Sequence, residues 1–127
     1  MPIAKEQVTV VVPTLNEEGA IGQVLDSLKE AGFGNILVVD GYSTDRTPAI
    51  VRSKGVGLVV QTGPGKAGAI MTAISRVSTP YMLVMDGDGT YSSKSADRLL
   101  QSEEFDEVIG ARENGRDNLP RINRFGN

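Results

Sequence analysis

Two carboxylates one residue apart, Asp86 and Asp88, close the apolar run Met82-Leu83-Val84-Met85, with only Gly87 between them. At the carboxyl end of a strand they repel each other unless a positive charge intervenes, and a divalent cation completed by phosphate oxygens supplies one. A plain Asp-Gly turn that ends the strand is the competing reading. A second acid stops a second apolar run in Val38-Val39-Asp40-Gly41. An acceptor at that edge can take a nucleobase N–H or a ribose hydroxyl, although a strand-end turn also accounts for it. Gly63-Pro64-Gly65-Lys66-Ala67-Gly68 is a glycine-rich turn into a helix, able to offer backbone N–H groups and the Lys66 cation to a phosphate. It is not a Walker loop, because Ala67 stands where Ser or Thr is required and Val60 where the first glycine belongs. Arg112 leaves the run Val108-Ile109-Gly110-Ala111, and Arg116, Arg121 and Arg124 follow; the guanidinium fork suits phosphate oxygens.

Composition narrows the chemistry further. The 127 residues contain neither cysteine nor histidine. Disulfides, thiolate nucleophiles, zinc-thiolate sites and the usual general base are therefore excluded, leaving carboxylates, Arg, Lys, hydroxyls and backbone. With 13 basic and 16 acidic residues the formal charge is -3, which does not fit a nucleic-acid binder. The amino-terminal residues lack the apolar core of a signal peptide, and no run reaches the ~18 residues of a membrane span, so the chain is expected to be cytoplasmic.

These groups need a scaffold, and the pattern of the chain supplies one. Five short apolar runs recur: Val8 to Val12, Ile36 to Val39, Leu58 to Val60, Met82 to Met85 and Glu107 to Ile109. Between them lie segments of helical period. From Glu17 to Ala31 the residues Ile21, Val24, Leu25 and Leu28 form one stripe, which Gly32 ends. Glu17 and Glu18 then fall in a first helical turn, where acids suit the dipole. Asp45 to Lys54 has Asp45 as a cap and Pro48 in its first turn, Lys66 to Val77 is striped by Ile70, Met71, Ile74 and Val77, and Ser95 to Ser102 is a weaker fourth helix. Alternating strands and helices predict one α/β domain built on a doubly wound, mostly parallel sheet with helices on both faces. The polar segment from Glu113 and the basic Leu119 to Asn127 read as the start of a further element that the chain does not complete.

Taken in order, Val12-Pro13-Thr14-Leu15-Asn16-Glu17, Val38-Val39-Asp40-Gly41-Tyr42-Ser43-Thr44-Asp45, Gly65-Lys66-Ala67-Gly68-Ala69, Asp86-Gly87-Asp88 and Val108-Ile109-Gly110-Ala111-Arg112 resemble glycosyltransferase family 2, with dolichyl-phosphate hexose synthases as the nearest flavour. The resemblance implies a GT-A fold, with residues 1–112 as the nucleotide-sugar-binding core and 113–127 as an acceptor-side loop and the start of a truncated carboxyl-terminal element. It implies that Pro13, Thr14, Leu15, Glu17 and Asp40 line the nucleoside pocket, with Lys66 and Gly87 close by. Asp86 and Asp88 would hold Mg²⁺ or Mn²⁺ on the donor diphosphate, Asp88 acting in catalysis. Arg112, Arg121 and Arg124 would face the acceptor phosphate. The implied reaction moves a hexose from a GDP- or UDP-sugar to a polyprenyl or dolichyl phosphate with inversion. A membrane surface would be met through the part beyond the chain, at its cytoplasmic face, and a homodimer is allowed. Two alternatives stay open. A nucleotidyltransferase would want a glycine-rich basic loop after the first strand, and a catalytically silent nucleotide-sugar-binding domain would work with a membrane subunit.

Overall fold

The computed structural model describes residues 4–89 and the backbone of residues 108–110. Its elements run from a short 3-10 turn (Lys5–Gln7) through β1 (Val8–Thr14), α1 (Ile21–Glu30), β2 (Ile36–Asp40), α2 (Thr47–Ser53), β3 (Gly57–Val60), α3 (Gly65–Arg76) and β4 (Tyr81–Val84) to β5 (Val108–Gly110). The sheet order is β3-β2-β1-β4-β5. The first four strands are parallel and β5 runs antiparallel to β4. The direction of β5 was not legible from a three-residue apolar run. The expected helix over 95–102 lies outside the described residues, as does the whole of 113–127.

Valine alternation explains why the sheet is covered twice. Val10 and Val12 face one side, where they join Ile21, Leu25 and Leu28 of α1. Val11 faces the other, against Ala69, Ile70 and Ala73 of α3. A strand buried on both faces needs apolar residues at every position, which is what the run from Val8 to Val12 supplies apart from the nearly buried Thr9. Gly32, at φ 97°, ends the α1 region in the left-handed conformation.

Chain order reverses beside β1: β2 and β3 build outward on one side, β4 on the other. Crevices in open α/β sheets form at that point, beyond the carboxyl ends of the strands. Here the opening has a local cause. Alternate residues of β1 bond alternate neighbours: Val10 N–H donates to Asn35 O (2.8 Å) and Gly41 N–H donates to Thr14 O (2.8 Å), whereas Met85 N–H donates to Val11 O (2.9 Å). Pro13 falls on the β4 side of this alternation and has no N–H to extend that ladder, so β1 and β4 separate.

Past β4, the turn carrying Asp86 and Asp88 lies directly on β1 because Gly87 has no side chain. A Cβ on Gly87 would sit 2.9 Å from Thr14 Cγ2 and 3.2 Å from Val12 Cγ1. Gly87→Ala is therefore predicted to destabilise the domain by about 1–3 kcal/mol in urea unfolding, through overpacking of a buried contact. A stability equal to wild type would contradict this packing.

Candidate active site

A cleft of about 280 Å³ lies over the carboxyl ends of β1, β2 and β3, bordered by the start of α3 and by Asp86 beyond β4. Of the residues singled out in the sequence, Pro13, Thr14, Leu15, Glu17, Lys66 and Asp86 line it. Gly41 and Gln61, at the tips of β2 and β3, line it as well. Neither was singled out in the sequence, although both follow directly on strands whose ends are level with Thr14.

Asp40 is not among the residues that line this cleft. It is 3% exposed. Its Oδ1 accepts from Thr14 Oγ1 at 2.8 Å and from Ser43 Oγ at 2.6 Å, and its Oδ2 accepts from Ser43 N–H at 2.8 Å. The carboxylate thus fixes the end of β1 and the β2–α2 loop together. Gly87 is likewise buried, facing β1, and Asp88 is exposed beyond it. Arg112, Arg121 and Arg124 lie outside the described residues.

The two loops bordering β1 and β2 are clasped by side chains that bond each other's backbones. Asn16 Oδ1 accepts from Thr44 N–H (2.8 Å) and Asp45 N–H (3.3 Å), while Asn16 N–H donates to Ser43 Oγ (2.8 Å). Asp45 Oδ2 accepts from Glu18 N–H (3.1 Å), Glu18 Oε1 accepts from Arg46 N–H (2.9 Å), and Glu17 N–H donates to Thr47 Oγ1 (2.8 Å). Asn16 adopts φ 55°, a left-handed conformation that Asn tolerates better than most residues. The clasp corrects one expectation. Helix α1 begins at Ile21 with no acid in its first turn, so Glu17 and Glu18 do not serve its dipole. Glu18 instead satisfies a donor at the start of α2, the neighbouring helix.

Electrostatics at the strand tips are one-sided. Burial raises the Glu17 carboxyl above its usual range, and the charges of Asp88, Asp86 and Asp45 push it further in the same direction. For Asp45, desolvation acts upward, but the Thr47 hydroxyl and the backbone N–H groups of Thr47 and Glu18 outweigh it and leave the carboxyl below the usual range. Lys66 Nζ lies 3.2 Å from Asp86 Oδ1, both side chains being more than a third exposed. Among the described residues no group of three or more Asp, Glu, His or Cys side chains is gathered closely enough to hold a metal alone. The acid pair nevertheless fits a hard cation of the kind that keeps one or two protein carboxylates and takes its other ligands from diphosphate and water.

A model of the family described as Glycosyl transferase family 2 matches residues 9–125. The chain belongs to glycosyl transferase family 2. Membership counts against the nucleotidyltransferase alternative. Glycosyltransferase AglJ of Haloferax volcanii is 39% identical, over 96% of this chain and 42% of the relative. A dolichyl-phosphate hexose transferase of the same organism is 35% identical, over 96% of this chain and 55% of the relative. The chain thus spans about half the length of such relatives. Glucosyl-3-phosphoglycerate synthase from Mycobacterium tuberculosis in complex with UDP superposes with a TM-score of 0.68 at 25% identity, over 75% of this chain and 39% of that one. The same synthase was also solved with Mn²⁺, UDP and glucosyl-3-phosphoglycerate, and matches with a TM-score of 0.65 at 26% identity. The described fold is accordingly the GT-A type of α/β fold. No helix among the described residues of this family 2 chain is long and apolar enough to cross a membrane.

The raised Glu17 carboxyl has a consequence for stability. A folded state that holds this proton more tightly than the unfolded chain loses stability as pH rises from the usual carboxylate range through the Glu17 titration. Glu17→Gln removes the repulsion, so its melting temperature is predicted to exceed that of wild type at about pH 7 and to converge with it below about pH 4. A variant less stable than wild type at neutral pH would contradict this.

Proposed function

We propose that the chain is the donor-binding part of an inverting, divalent-metal-dependent hexosyltransferase that uses a GDP- or UDP-linked sugar and a polyprenyl or dolichyl phosphate acceptor. The observation that carries this reading is the cleft over the carboxyl ends of the parallel strands, which Lys66 and Asp86 line together with the end of β1. The names of two similar proteins support its two halves. A structural neighbour was solved with UDP and Mn²⁺, and a relative is a dolichyl-phosphate hexose transferase.

Within this reading the nucleoside lies along Pro13, Thr14 and Leu15, and the diphosphate lies toward Lys66 and the acid pair. Asp86 and Asp88 would hold Mg²⁺ or Mn²⁺, which supplies charge neutralisation to the leaving diphosphate. Lys66 already bonds Asp86, so it is placed to exchange that partner for a phosphate oxygen once the carboxylate is neutralised. An oxygen of the acceptor phosphate attacks the anomeric carbon in line. The bond from that carbon to the diphosphate oxygen breaks, and its electron pair leaves with the nucleoside diphosphate. The absence of histidine does not obstruct this chemistry, because a phosphate monoester with a second pKa of about 6 is largely ionised near neutral pH. Arg112, Arg121 and Arg124 are proposed to align this second anion. Contact with a membrane surface and a homodimer belong to the whole protein and are proposed on the same footing.

Titrating a nucleoside diphosphate with Mn²⁺ into wild type and Asp88→Ala tests the assignment. The variant is predicted to bind at least about tenfold more weakly, a loss of roughly 1.4 kcal/mol. Its unliganded unfolding should stay cooperative, because residue 88 is exposed, and circular dichroism of the variant checks that the loss of binding is not a loss of fold. Equal affinity would remove the metal assignment, and binding of the nucleotide-sugar without transfer by the longer protein would favour a silent binding domain.

A further inference from the structure

Gln61 sits in the cleft in an arrangement that helix capping, sheet pairing and the acid pair leave unexplained. It follows β3 directly, and its backbone N–H donates to Asp40 O at 2.9 Å. Its side chain is buried, at 8% exposure. The amide nitrogen Nε2 donates to Gly63 O at 2.9 Å and to Gly65 O at 3.0 Å. Two carbonyls can only accept, so they fix which end of the carboxamide is which. Oε1 must point the other way, toward Gly41, where a Cβ would lie only 2.9 Å from it. Among the described residues no donor reaches Oε1. A buried acceptor left without a donor is uncommon in folded proteins, because its lost hydration is uncompensated. Here the neighbouring position is a glycine that lines the same cleft as Gln61, and it leaves beside Oε1 the space that a Cβ would fill.

We propose that Gln61 Oε1 is the specificity-determining acceptor for the nucleotide's base, taking the ring N–H of a uracil or guanine. This rests on the reading of the cleft as a nucleotide-sugar site. The carboxylate from which such a role was expected, Asp40, is occupied by Thr14 and Ser43. Leu15, 57% exposed and lining the same cleft, supplies an apolar surface for the face of the base. Tyr42, whose hydroxyl donates to Gln61 O at 2.9 Å, ties the rim of the β2 loop to the residue that reads the base.

The test is isothermal titration in the presence of Mn²⁺ with UDP, GDP and their ring-N-methylated analogues, on wild type and on Gln61→Met. Wild type should bind the better of the two unmodified nucleotides at least about tenfold more tightly than its methylated analogue, because methylation removes the donor and strands the acceptor. Gln61→Met should bind the unmodified nucleotide at that weaker level and lose the discrimination. Wild type that binds the methylated nucleotide as tightly as the unmodified one overturns the proposal without any need for the variant to fold. So does a folded Gln61→Met with unchanged discrimination, and in both cases the nucleotide-sugar reading survives. Failure of wild type to bind either nucleotide overturns that reading together with this one.

Discussion

The crowding of acids around the half-buried Glu17 is the constraint on which the layout of these strand tips depends. Burial raises the Glu17 carboxyl, and the charges of Asp88, Asp86 and Asp45 add to it. Lys66 answers part of this charge through Asp86, across a contact too exposed to hold much energy in water. A fold that concentrates like charges in this way sacrifices some stability locally, and under the proposed function a cation at the acid pair would offset that loss.

Holding those charges in place requires rigid elements, and three features supply them. Parallel pairing on both sides of β1 sets the ends of β1, β2 and β3 level. Pro13 then ends the pairing with β4 and lets the crevice open. The reciprocal bonds between the loops at 16–18 and 43–47 tie one strand tip to the next, so that Glu17, in the loop before α1, is held by Thr47 at the start of α2. Gly87 completes the set by letting the acid-bearing turn lie against Val12 and Thr14. Preorganisation of this kind keeps charged groups from relaxing away from one another before a ligand arrives.

Much of the scaffold was legible in the sequence because it depends on periodicity. The valine-rich runs and the striped segments at 21–28 and 70–77 announced strands and helices with local signals. Pattern alone did not reveal interactions that cross elements. Asp40 and Asp86 look alike as acids ending apolar runs, yet Asp40 turns inward because Thr14 and Ser43 are there to donate, while Asp86 remains at the cleft. The start of α1 was misplaced because Asn16 and Glu18 bond the next loop rather than their own helix. Gln61 carries no motif, and only its position beside Gly41 and the carbonyls at 63 and 65 makes it conspicuous.

The most direct test is paramagnetic broadening of backbone amide signals when Mn²⁺ is added with a nucleoside diphosphate. Selective broadening is expected at residues 15–17, at Lys66 and at residues 86–89, with Phe33 and Gly55 at the opposite end of the sheet left sharp. Broadening centred at that opposite end, or equal broadening with and without the nucleotide, would contradict it.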